Sequence, residues 1–466
     1  MQSHRYAATH ADGPVESGGR SNAPDMLARL MGLYIVVAVG RVGDVVPWLH
    51  SIPLAKLVAG VAIIAAVRSR RASAIAIWKS VPPAKLTLAL MGVVIISILW
   101  SFLRSASFAI ITSTALAVIV TMLLVIKAAR NWAAVKTILL GTVFASIVLV
   151  ATVFTSKIND AGGYRSGYSS SYDPNDFAFV LIGLLPLVVT FGIVSRGAKR
   201  LFYFATAGFV VVAILLTQSR GGFIGLIVDV VAMMFLLPVA RRGQLRFRAS
   251  TSGLVARAIL LVIIGFVIWQ SLPEPARVRL GTITELGSDY NANVAEGGRL
   301  AIWSRNFPLI INRPWGYGAG SFEAVDGLLA GGQYRAPHNT LLEVLIELGV
   351  PGLLLFISTI VSSLRYLRVP RHGDQNKATT ADPDEPRAFA RGLAVGWVGL
   401  CLTGFFLTQL YSNVLWTFVA LSCAVGIVRR HPMPTSVGVI STDTATPRMA
   451  DKKRDLNAQA IAKPTE

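Results

Sequence analysis

The segment FAFVLIGLLPLVVTFGIV, residues 177–194, is an uninterrupted apolar run without a charged side chain. A helix needs about 20 mostly apolar residues to cross the hydrocarbon core of a bilayer. Comparable runs start near residues 26, 51, 84, 107, 132, 200, 221, 254, 339, 390 and 412. The sequence therefore predicts an all-α polytopic membrane protein with about 12 transmembrane helices.

The composition favours a membrane protein over a soluble one. Hydrophobic residues make up 53% of the 466 residues, charged residues make up 15%, and the mean hydropathy is +0.59. A net charge of +20 raises nucleic acid as a partner, but the basic residues lie between apolar runs, as in membrane proteins. Cys401 and Cys423 both lie inside apolar runs, which argues against a disulfide framework and against a metal cluster.

The distribution of Lys and Arg predicts the topology. With both termini in the cytoplasm, most of the 44 basic residues fall in inside segments, as the positive-inside rule requires. One long hydrophilic loop then lies outside. The predicted regions are a cytoplasmic N-terminal segment at 1–25, transmembrane helices 1–9 at 26–270, an outer loop domain at 271–338, transmembrane helices 10–12 at 339–429, and a disordered cytoplasmic tail at 430–466.

The outer loop contains helical patterns instead of a bare turn. The strongest pattern runs from Arg299 to Ile311 and ends before Pro314. Its apolar stripe consists of Leu300, Ile302, Trp303, Phe307, Ile310 and Ile311. Weaker patterns cover 274–286 and 321–329, with a tight glycine turn at 316–320. These patterns predict a small helical cap over the membrane bundle.

Two outer arginines are candidates for binding a diphosphate. Arg220 lies in QSRGG, residues 218–222, and Arg299 follows two glycines, so each stands at the start of a helix whose dipole favours anions. A guanidinium fork can donate two parallel hydrogen bonds to phosphate. The alternatives are an interfacial arginine that reaches the headgroups for Arg220 and a solvated loop arginine for Arg299. Weaker versions of the pattern are Arg305, Arg313 and Arg335.

His338 is the candidate general base. It stands in APHNT, residues 336–340, directly before an apolar run. Thr340 and Glu343 form a T-x-x-E pattern that predicts a capping box and places His338 just outside the helix, at the outer membrane surface. Its side chain titrates near neutral pH, which suits proton transfer. The alternative is a polar interface residue without a chemical role.

Several other polar residues have structural explanations. Asp173, Pro174 and Asp176 form a complete helix start with a cap, a first-turn proline and a first-turn acid. Asp229 and Glu347 are costly inside a membrane and are expected to face the bundle interior. As candidate supports of a substrate site we retain Asn339, Arg305 and Asp176.

Four motifs resemble those of the O-antigen ligase family. They are SRGG at 219–222, GGRLAIW at 297–303, PWGYGAGSF at 314–322 and HNTLLEVLIELGVPG at 338–352, and DPNDFA from Asp173 also fits. The resemblance covers roughly residues 160–356. It implies a GT-C-like glycosyltransferase architecture in the bacterial inner membrane, with the large outer loop in the periplasm.

The resemblance also implies an activity. The family moves a glycan from undecaprenyl diphosphate to lipid A-core at the periplasmic face. On the matching positions, Arg220 and Arg299 engage the donor diphosphate and His338 assists the acceptor. We expect an inverting transfer without a cofactor, and without a nucleotide because the diphosphate ester already stores the driving force. We also expect no metal, because the outer segments contain no H-E-x-x-H, no cysteine cluster and no close D-x-D pair. Related alternatives are O-antigen polymerase and protein O-oligosaccharyltransferase, and a different class of protein is a transporter of lipid-linked glycans.

Overall fold

The computed structural model describes residues 25–69, 78–160, 163–166, 172–241, 244–247, 250–281, 298–332, 334–368 and 384–430. The predicted terminal regions at 1–25 and 430–466 therefore lie almost entirely outside the described residues. The same is true of residues 282–297 in the predicted outer loop domain.

The described chain is built mainly from helices, with two short β-hairpins. In chain order the elements are α1 (Met26–Ala38), α2 (Val42–Val45), α3 (Leu54–Arg68), α4 (Pro82–Ile96), α5 (Arg104–Ala128), α6 (Trp132–Thr155), β1 (Lys157–Asp160), β2 (Gly163–Ser166), α7 (Pro174–Val194), α8 (Gly197–Leu216), α9 (Arg220–Leu236), β3 (Val239–Arg241), β4 (Gln244–Arg246), α10 (Thr251–Ser271), α11 (Glu274–Gly281), α12 (Arg299–Asn312), α13 (Phe322–Leu329), α14 (Thr340–Tyr366), α15 (Asp384–Gly404) and α16 (Asn413–Arg430).

Every predicted membrane helix coincides with a helix in the described chain. The observed starts lie within about six residues of the predicted ones. Eight described helices are long and apolar enough to cross a membrane, namely α4, α5, α6, α7, α8, α10, α14 and α16. Of the others, α1, α3 and α9 are shorter, at 13, 15 and 17 residues, and α15 has 21 residues but a charged first turn. The protein is thus polytopic, and the number of 12 spans stays a prediction.

The sequence did not predict the two hairpins. β1 pairs with β2 and β3 pairs with β4, both antiparallel and each within a connection between helices. Strands of three or four residues are too short to give a clear alternating pattern. The helical bundle is unaffected, because each hairpin pairs only with itself.

Helix α7 forms the centre of the described bundle. Most of its side chains are buried, and it packs against α6, α8, α9 and α15. Small residues permit this close packing. A Cβ atom at Gly396 of α15 would lie 2.6 Å from the carbonyl oxygen of Gly183 in α7. In α9, Asp229 is fully buried, as the sequence predicts for a carboxyl group within a bundle.

Helix α14 is broken at Gly349. This residue has φ 69° and ψ −167°, a conformation that is essentially restricted to glycine. Pro351 follows and has no N–H to continue the helical ladder. Two carbonyl groups before the break accept hydrogen bonds from outside the helix: Tyr317 N donates to Ile346 O at 2.9 Å, and Gly318 N donates to Glu347 O at 2.8 Å.

The partner of this break is the glycine loop, residues 314–321. The sequence predicts a tight turn there, and the turn is present with positive φ at Gly316, Gly318 and Gly320. From Gly316 to Ser321 the loop is also buried or half-buried between two parts of the bundle, which the sequence did not indicate. Ser107 Oγ donates to Ala319 O at 2.6 Å on the α5 side. On the α14 side, Val350 N donates to the carbonyl oxygen of Pro314 at 2.8 Å.

Substitution of Gly349 by alanine is expected to destabilise the protein. The backbone conformation alone costs a non-glycine residue about 1–3 kcal/mol. In addition, a Cβ atom would lie 2.2 Å from Pro314 O, which is backbone and cannot rotate away. The melting temperature of the purified protein in detergent should fall. The control is Gly92→Ala in α4, where a Cβ atom meets nothing within 4 Å; an equal effect of both substitutions would contradict the role of the break.

Candidate functional site

Arg220 is the first residue of α9, as predicted. Ser219 caps the helix, and its Oγ accepts a hydrogen bond from Gly222 N at 3.2 Å. The two glycines that follow Arg220 differ in their surroundings. A Cβ atom at Gly222 would lie 2.6 Å from Ala178 Cβ, so this glycine is needed for packing of α9 against α7. Gly221 has ordinary space beside Phe406.

Arg299 is the first residue of α12 and follows Gly298, also as predicted. The buried face of α12 meets the first turns of α14, where Ile302 packs in a cluster with Leu342 and Ile346. Trp303 Nε1 donates to the carbonyl oxygen of Pro337 at 2.8 Å. The start of α12 is therefore fixed beside the residue that precedes His338.

His338 lies just before α14 in a left-handed backbone conformation with φ 45°. Its backbone N–H donates to Thr408 Oγ1 at 3.1 Å. Burial is the main cause that lowers the pKa of the imidazole; the positive charge of Arg299 lowers it further, and the negative charge of Asp173 acts in the opposite direction. The structure thus brings His338 within the electrostatic range of Arg299 and of the start of α7.

The predicted capping box of α14 is wrong by one residue. The N-cap is Asn339, whose Oδ1 accepts hydrogen bonds from Leu341 N and Leu342 N, both at 3.0 Å. Asparagine is a strong N-cap, so it takes the position that the pattern gave to Thr340. Glu343 is consequently not part of a cap. The cap also explains Asn339, a candidate support of the substrate site, as a structural residue.

A second loop, residues 405–412 with the sequence FFLTQLYS, contacts the elements that carry the candidate residues. Its two phenylalanines face the helices of the two arginines. The ring centroid of Phe405 lies 5.7 Å from that of Trp303 in α12. Phe406 borders Gly221, next to Arg220. We call this segment the FFLTQLYS loop.

The polar residues of the FFLTQLYS loop form hydrogen bonds with His338 and with residues near it. Thr408 Oγ1 accepts the hydrogen bond from the backbone N–H of His338, as described above. The next residue, Gln409, donates from Nε2 to Asp176 Oδ1 at 2.7 Å and from its backbone N to Thr340 Oγ1 at 3.1 Å. The loop therefore links the start of α7 to the start of α14.

Two buried glutamates of α14 extend the same set of contacts. Glu343 Oε2 accepts a hydrogen bond from Leu410 N at 3.0 Å. Glu347 is buried, as predicted, and its Oε2 accepts one from the Tyr411 hydroxyl at 2.5 Å. The sequence predicts membrane helices that start near residues 390 and 412 and indicates no role for the connection between them. The one available signal is the polar pair Thr408 and Gln409 between two membrane helices.

Asp176 belongs to the capping box predicted for α7. Asp173 Oδ1 accepts hydrogen bonds from Asn175 N at 2.7 Å and from Asp176 N at 2.8 Å. Asp176 Oδ2 accepts one from Asp173 N at 3.3 Å. With Gln409 on its other oxygen, Asp176 is a structural link at the edge of the site.

Arg305, a further candidate support, forms a bidentate ion pair with Asp326 of α13. Its Nε donates to Asp326 Oδ1 at 2.7 Å, and its Nη2 donates to Asp326 Oδ2 at 2.6 Å. Asn306 Nδ2 also donates to Asp326 Oδ1 at 2.5 Å. Asp326 is fully buried, so the pair joins α12 to α13. This geometry gives Arg305 a structural role.

Within the ranges that the structure describes, no three His, Cys, Asp or Glu side chains are grouped so as to hold a metal ion. Metal independence of the reaction stays a prediction from the sequence.

Breaking the Arg305–Asp326 pair is expected to lower stability. Removal of one partner of a buried ion pair typically costs about 3–5 kcal/mol, because the other charge is left buried. Asp326→Asn should therefore lower the melting temperature clearly. The control is Glu385→Gln, which breaks the partly exposed Lys136–Glu385 pair and should cost about 1 kcal/mol or less. If both substitutions had the same small effect, the pair would not join the two helices.

One comparison with known proteins bears on this site. Residues 204–357, about a third of the chain, match the family model described as O-antigen ligase. No curated protein matches the chain. The matched segment contains Arg220, Arg299 and His338 and agrees with the motif resemblance. The match supports the assignment of this chain to the O-antigen ligase family.

Proposed function

We propose that the protein is an O-antigen ligase. It transfers a polysaccharide from undecaprenyl diphosphate to lipid A-core at the periplasmic face of the inner membrane. The observation that carries the proposal is the place of His338. This imidazole lies at the end of a membrane-length helix and inside the segment that matches the O-antigen ligase family. The positive charge of Arg299 acts on it.

The proposed reaction is an inverting substitution at the anomeric carbon. The acceptor hydroxyl oxygen forms the new glycosidic bond, and the bond from that carbon to the diphosphate oxygen breaks. His338 takes the hydroxyl proton as general base. The leaving group is undecaprenyl diphosphate, and Arg220 and Arg299 stabilise the negative charge that develops on it.

The surroundings of His338 suit a general base. Burial and Arg299 lower the pKa of the imidazole below its ordinary value, so the neutral form that accepts a proton predominates at neutral pH. A neutral base beside a guanidinium group also avoids an unfavourable pair of positive charges.

The broken helix α14 bears on the alternative of a transporter. Transporters often use the freed backbone groups of broken helices to bind substrate. Here the carbonyl groups of Ile346 and Glu347 accept hydrogen bonds from the glycine loop. The break therefore joins two parts of the protein and favours a fixed scaffold. The single large outer loop predicted from the sequence favours a ligase over a polymerase.

Reconstitution of the purified protein with lipid-linked glycan and lipid A-core tests the proposed function. In the presence of EDTA, the wild-type protein should form the glycan–lipid A-core product. His338→Ala should lose about 10²- to 10⁴-fold in transfer rate, the range for general-base assistance, and should still bind the donor. His338→Asn should restore little, because an amide does not take the proton.

Other products would point to other functions. Longer lipid-linked glycan would indicate a polymerase, a glycosylated acceptor protein would indicate an oligosaccharyltransferase, and donor movement across the vesicle without product would indicate a transporter. Near-normal turnover by His338→Asn would give the histidine a positioning role.

Replacement of the two arginines by lysine tests the diphosphate site. Lysine keeps the positive charge but loses the bidentate fork, so Arg220→Lys and Arg299→Lys should each lose transfer by about tenfold or more at normal expression. The control is Arg313→Lys, at an exposed arginine over the ring of Tyr317, which should have little effect. If lysine serves equally well at both positions, a general positive charge is sufficient, and bidentate binding of the diphosphate by the two arginines is refuted.

A further inference from the structure

Two arginines bind backbone carbonyl groups in the last turn of α9. Arg257 of α10 donates from Nη1 to the carbonyl oxygen of Met234 at 2.7 Å. Arg391 of α15 donates from Nη1 to the carbonyl oxygens of Leu236 at 2.9 Å and Phe247 at 3.1 Å. Cations are favourable at the C-terminus of a helix, where the dipole is negative. These hydrogen bonds fix the two guanidinium groups beside the end of α9.

A third arginine joins them at the ring of Phe247, in the connection between β4 and α10. Cζ of Arg387 lies 4.2 Å from the ring centroid, and Cζ of Arg391 lies 4.8 Å from it. The two arginines are four residues apart on α15, which is about one helical turn. We call Arg257, Arg387 and Arg391 the arginine cluster.

The arginine cluster lies at the end of the bundle away from the candidate site. α9 starts at Arg220 and ends at Leu236, so its last turn lies about 24 Å from Arg220 along the axis. α15 carries Arg387 and Arg391 near its start and leads into the FFLTQLYS loop after its end. The two sites are therefore on opposite sides of the membrane.

The described part of the chain supplies no counter-ion to the arginine cluster. Among those residues, no ion pair joins its three side chains to a carboxylate. Glu385, also on α15, is already paired with Lys136 at 2.5 Å. The connection at 237–250 contains four arginines and neither Asp nor Glu. Since like charges one turn apart repel each other, an external anion would stabilise the arrangement.

The surface beside the arginine cluster is apolar and faces lipid. α10 is long and apolar enough to cross a membrane, and none of its described side chains is buried. Val255 and Ile259 of this helix are each more than half exposed. Arg257 lies about 9 Å from the start of α10 along the axis, within the reach of a side chain that extends to the headgroups. An acyl chain can therefore lie along α10 while its headgroup meets the arginines.

We propose that the arginine cluster binds the phosphate group of an anionic phospholipid, in the leaflet opposite the candidate site. Guanidinium is the preferred side-chain cation for phosphate, and basic residues at the membrane surface attract anionic lipids. The exposed apolar face of α10 favours a lipid over a soluble phosphate. The proposal does not depend on the proposed function, because it uses none of Arg220, Arg299 and His338.

Site-directed photocrosslinking of the full-length protein tests the proposal. Val255 is replaced by p-benzoylphenylalanine, and the protein is reconstituted in phosphatidylcholine vesicles that contain a minority of phosphatidylglycerol. Mass spectrometry identifies the crosslinked lipids. Phosphatidylglycerol should be enriched at least about tenfold over its share of the vesicle, because each nearby arginine favours an anionic lipid by about fivefold. A crosslinked share equal to that of the vesicle would overturn the proposal.

Charge variants locate the source of the enrichment. Arg387→Gln combined with Arg391→Gln should remove most of it, leaving about fivefold or less from Arg257. The same two residues changed to lysine keep their charge and should retain the enrichment within about twofold. Undiminished enrichment in the glutamine variant would overturn the proposal, since the arginines would then serve only the helix end. If that variant does not fold, Arg257→Gln on α10 decides, with an expected loss of about fivefold.

The matched control is a basic pair on the same side of the bundle. Lys199 and Arg200 lie exposed at the start of α8, which follows the end of α7 away from the candidate site. Arg200 also lies over an aromatic ring, with Cζ 5.6 Å from the centroid of Phe204. Lys199→Gln with Arg200→Gln should leave the enrichment at residue 255 unchanged. An equal loss in this control would overturn the proposal, because general surface charge would then suffice.

Two further outcomes identify a different occupant. Inorganic phosphate, added at constant ionic strength, should not displace phosphatidylglycerol from the crosslinking position. Displacement would indicate a soluble phosphate ligand and would overturn the lipid assignment. Crosslinks from residue 255 to a second copy of the chain, in place of lipid, would overturn it as well.

Discussion

The carboxylate of Glu347 in α14 joins this helix to two other stretches of the chain, one at residues 320–322 and one at Tyr411. It accepts hydrogen bonds from Gly320 N at 2.8 Å, Phe322 N at 3.1 Å and the Tyr411 hydroxyl at 2.5 Å. These donors belong to the glycine loop, the start of α13 and the FFLTQLYS loop. Without the carboxylate, two backbone N–H groups would lose their partner in a buried place, at about 1–3 kcal/mol each. The glycine loop and the start of α13 are thereby fastened to α14 and to the FFLTQLYS loop.

The break at Gly349 frees backbone carbonyl groups of α14 for hydrogen bonds with the glycine loop. An unbroken helix would use the carbonyl groups of Ile346 and Glu347 internally, and the glycine loop would find no acceptors there. The glycine loop in turn sets where α12 ends and α13 begins. The position of Arg299, at the far end of α12, therefore depends on a joint about fifty residues later in the chain. Rigid support of this kind is what a site needs when it acts through orientation.

The sequence predicted the features that depend on local pattern. Long apolar runs have few explanations besides membrane helices, and each predicted start coincides with a helix. The cap of α7 and the starts of α9 and α12 at Arg220 and Arg299 were also predictable, because caps and glycines act over three or four residues. The start of α14 was misplaced by one residue, since Asn339 and Thr340 both suit a cap and the pattern alone does not rank them.

The contacts that assemble the site were not predictable in this way. The pairs Thr408–His338, Gln409–Asp176 and Tyr411–Glu347 join residues between 64 and 233 positions apart. A single sequence shows the polarity of such residues but not their partners. Arg305 illustrates the same limit, because only the structure shows that Asp326 occupies its guanidinium fork. The roles of Arg220, Arg299 and His338 in transfer stay predictions.

The FFLTQLYS loop has a consequence for exchanging parts between related enzymes. The segment that matches the family ends at residue 357, whereas the residues that hold its histidine come from 405–412. The candidate site is thus not a module that can be moved by itself. In a chimaera that receives residues 204–357 from a relative, the histidine would come from the relative, whereas Thr408 and Gln409 would come from this protein. Compatibility between these two distant stretches, more than similarity within either one, would govern whether such a hybrid works.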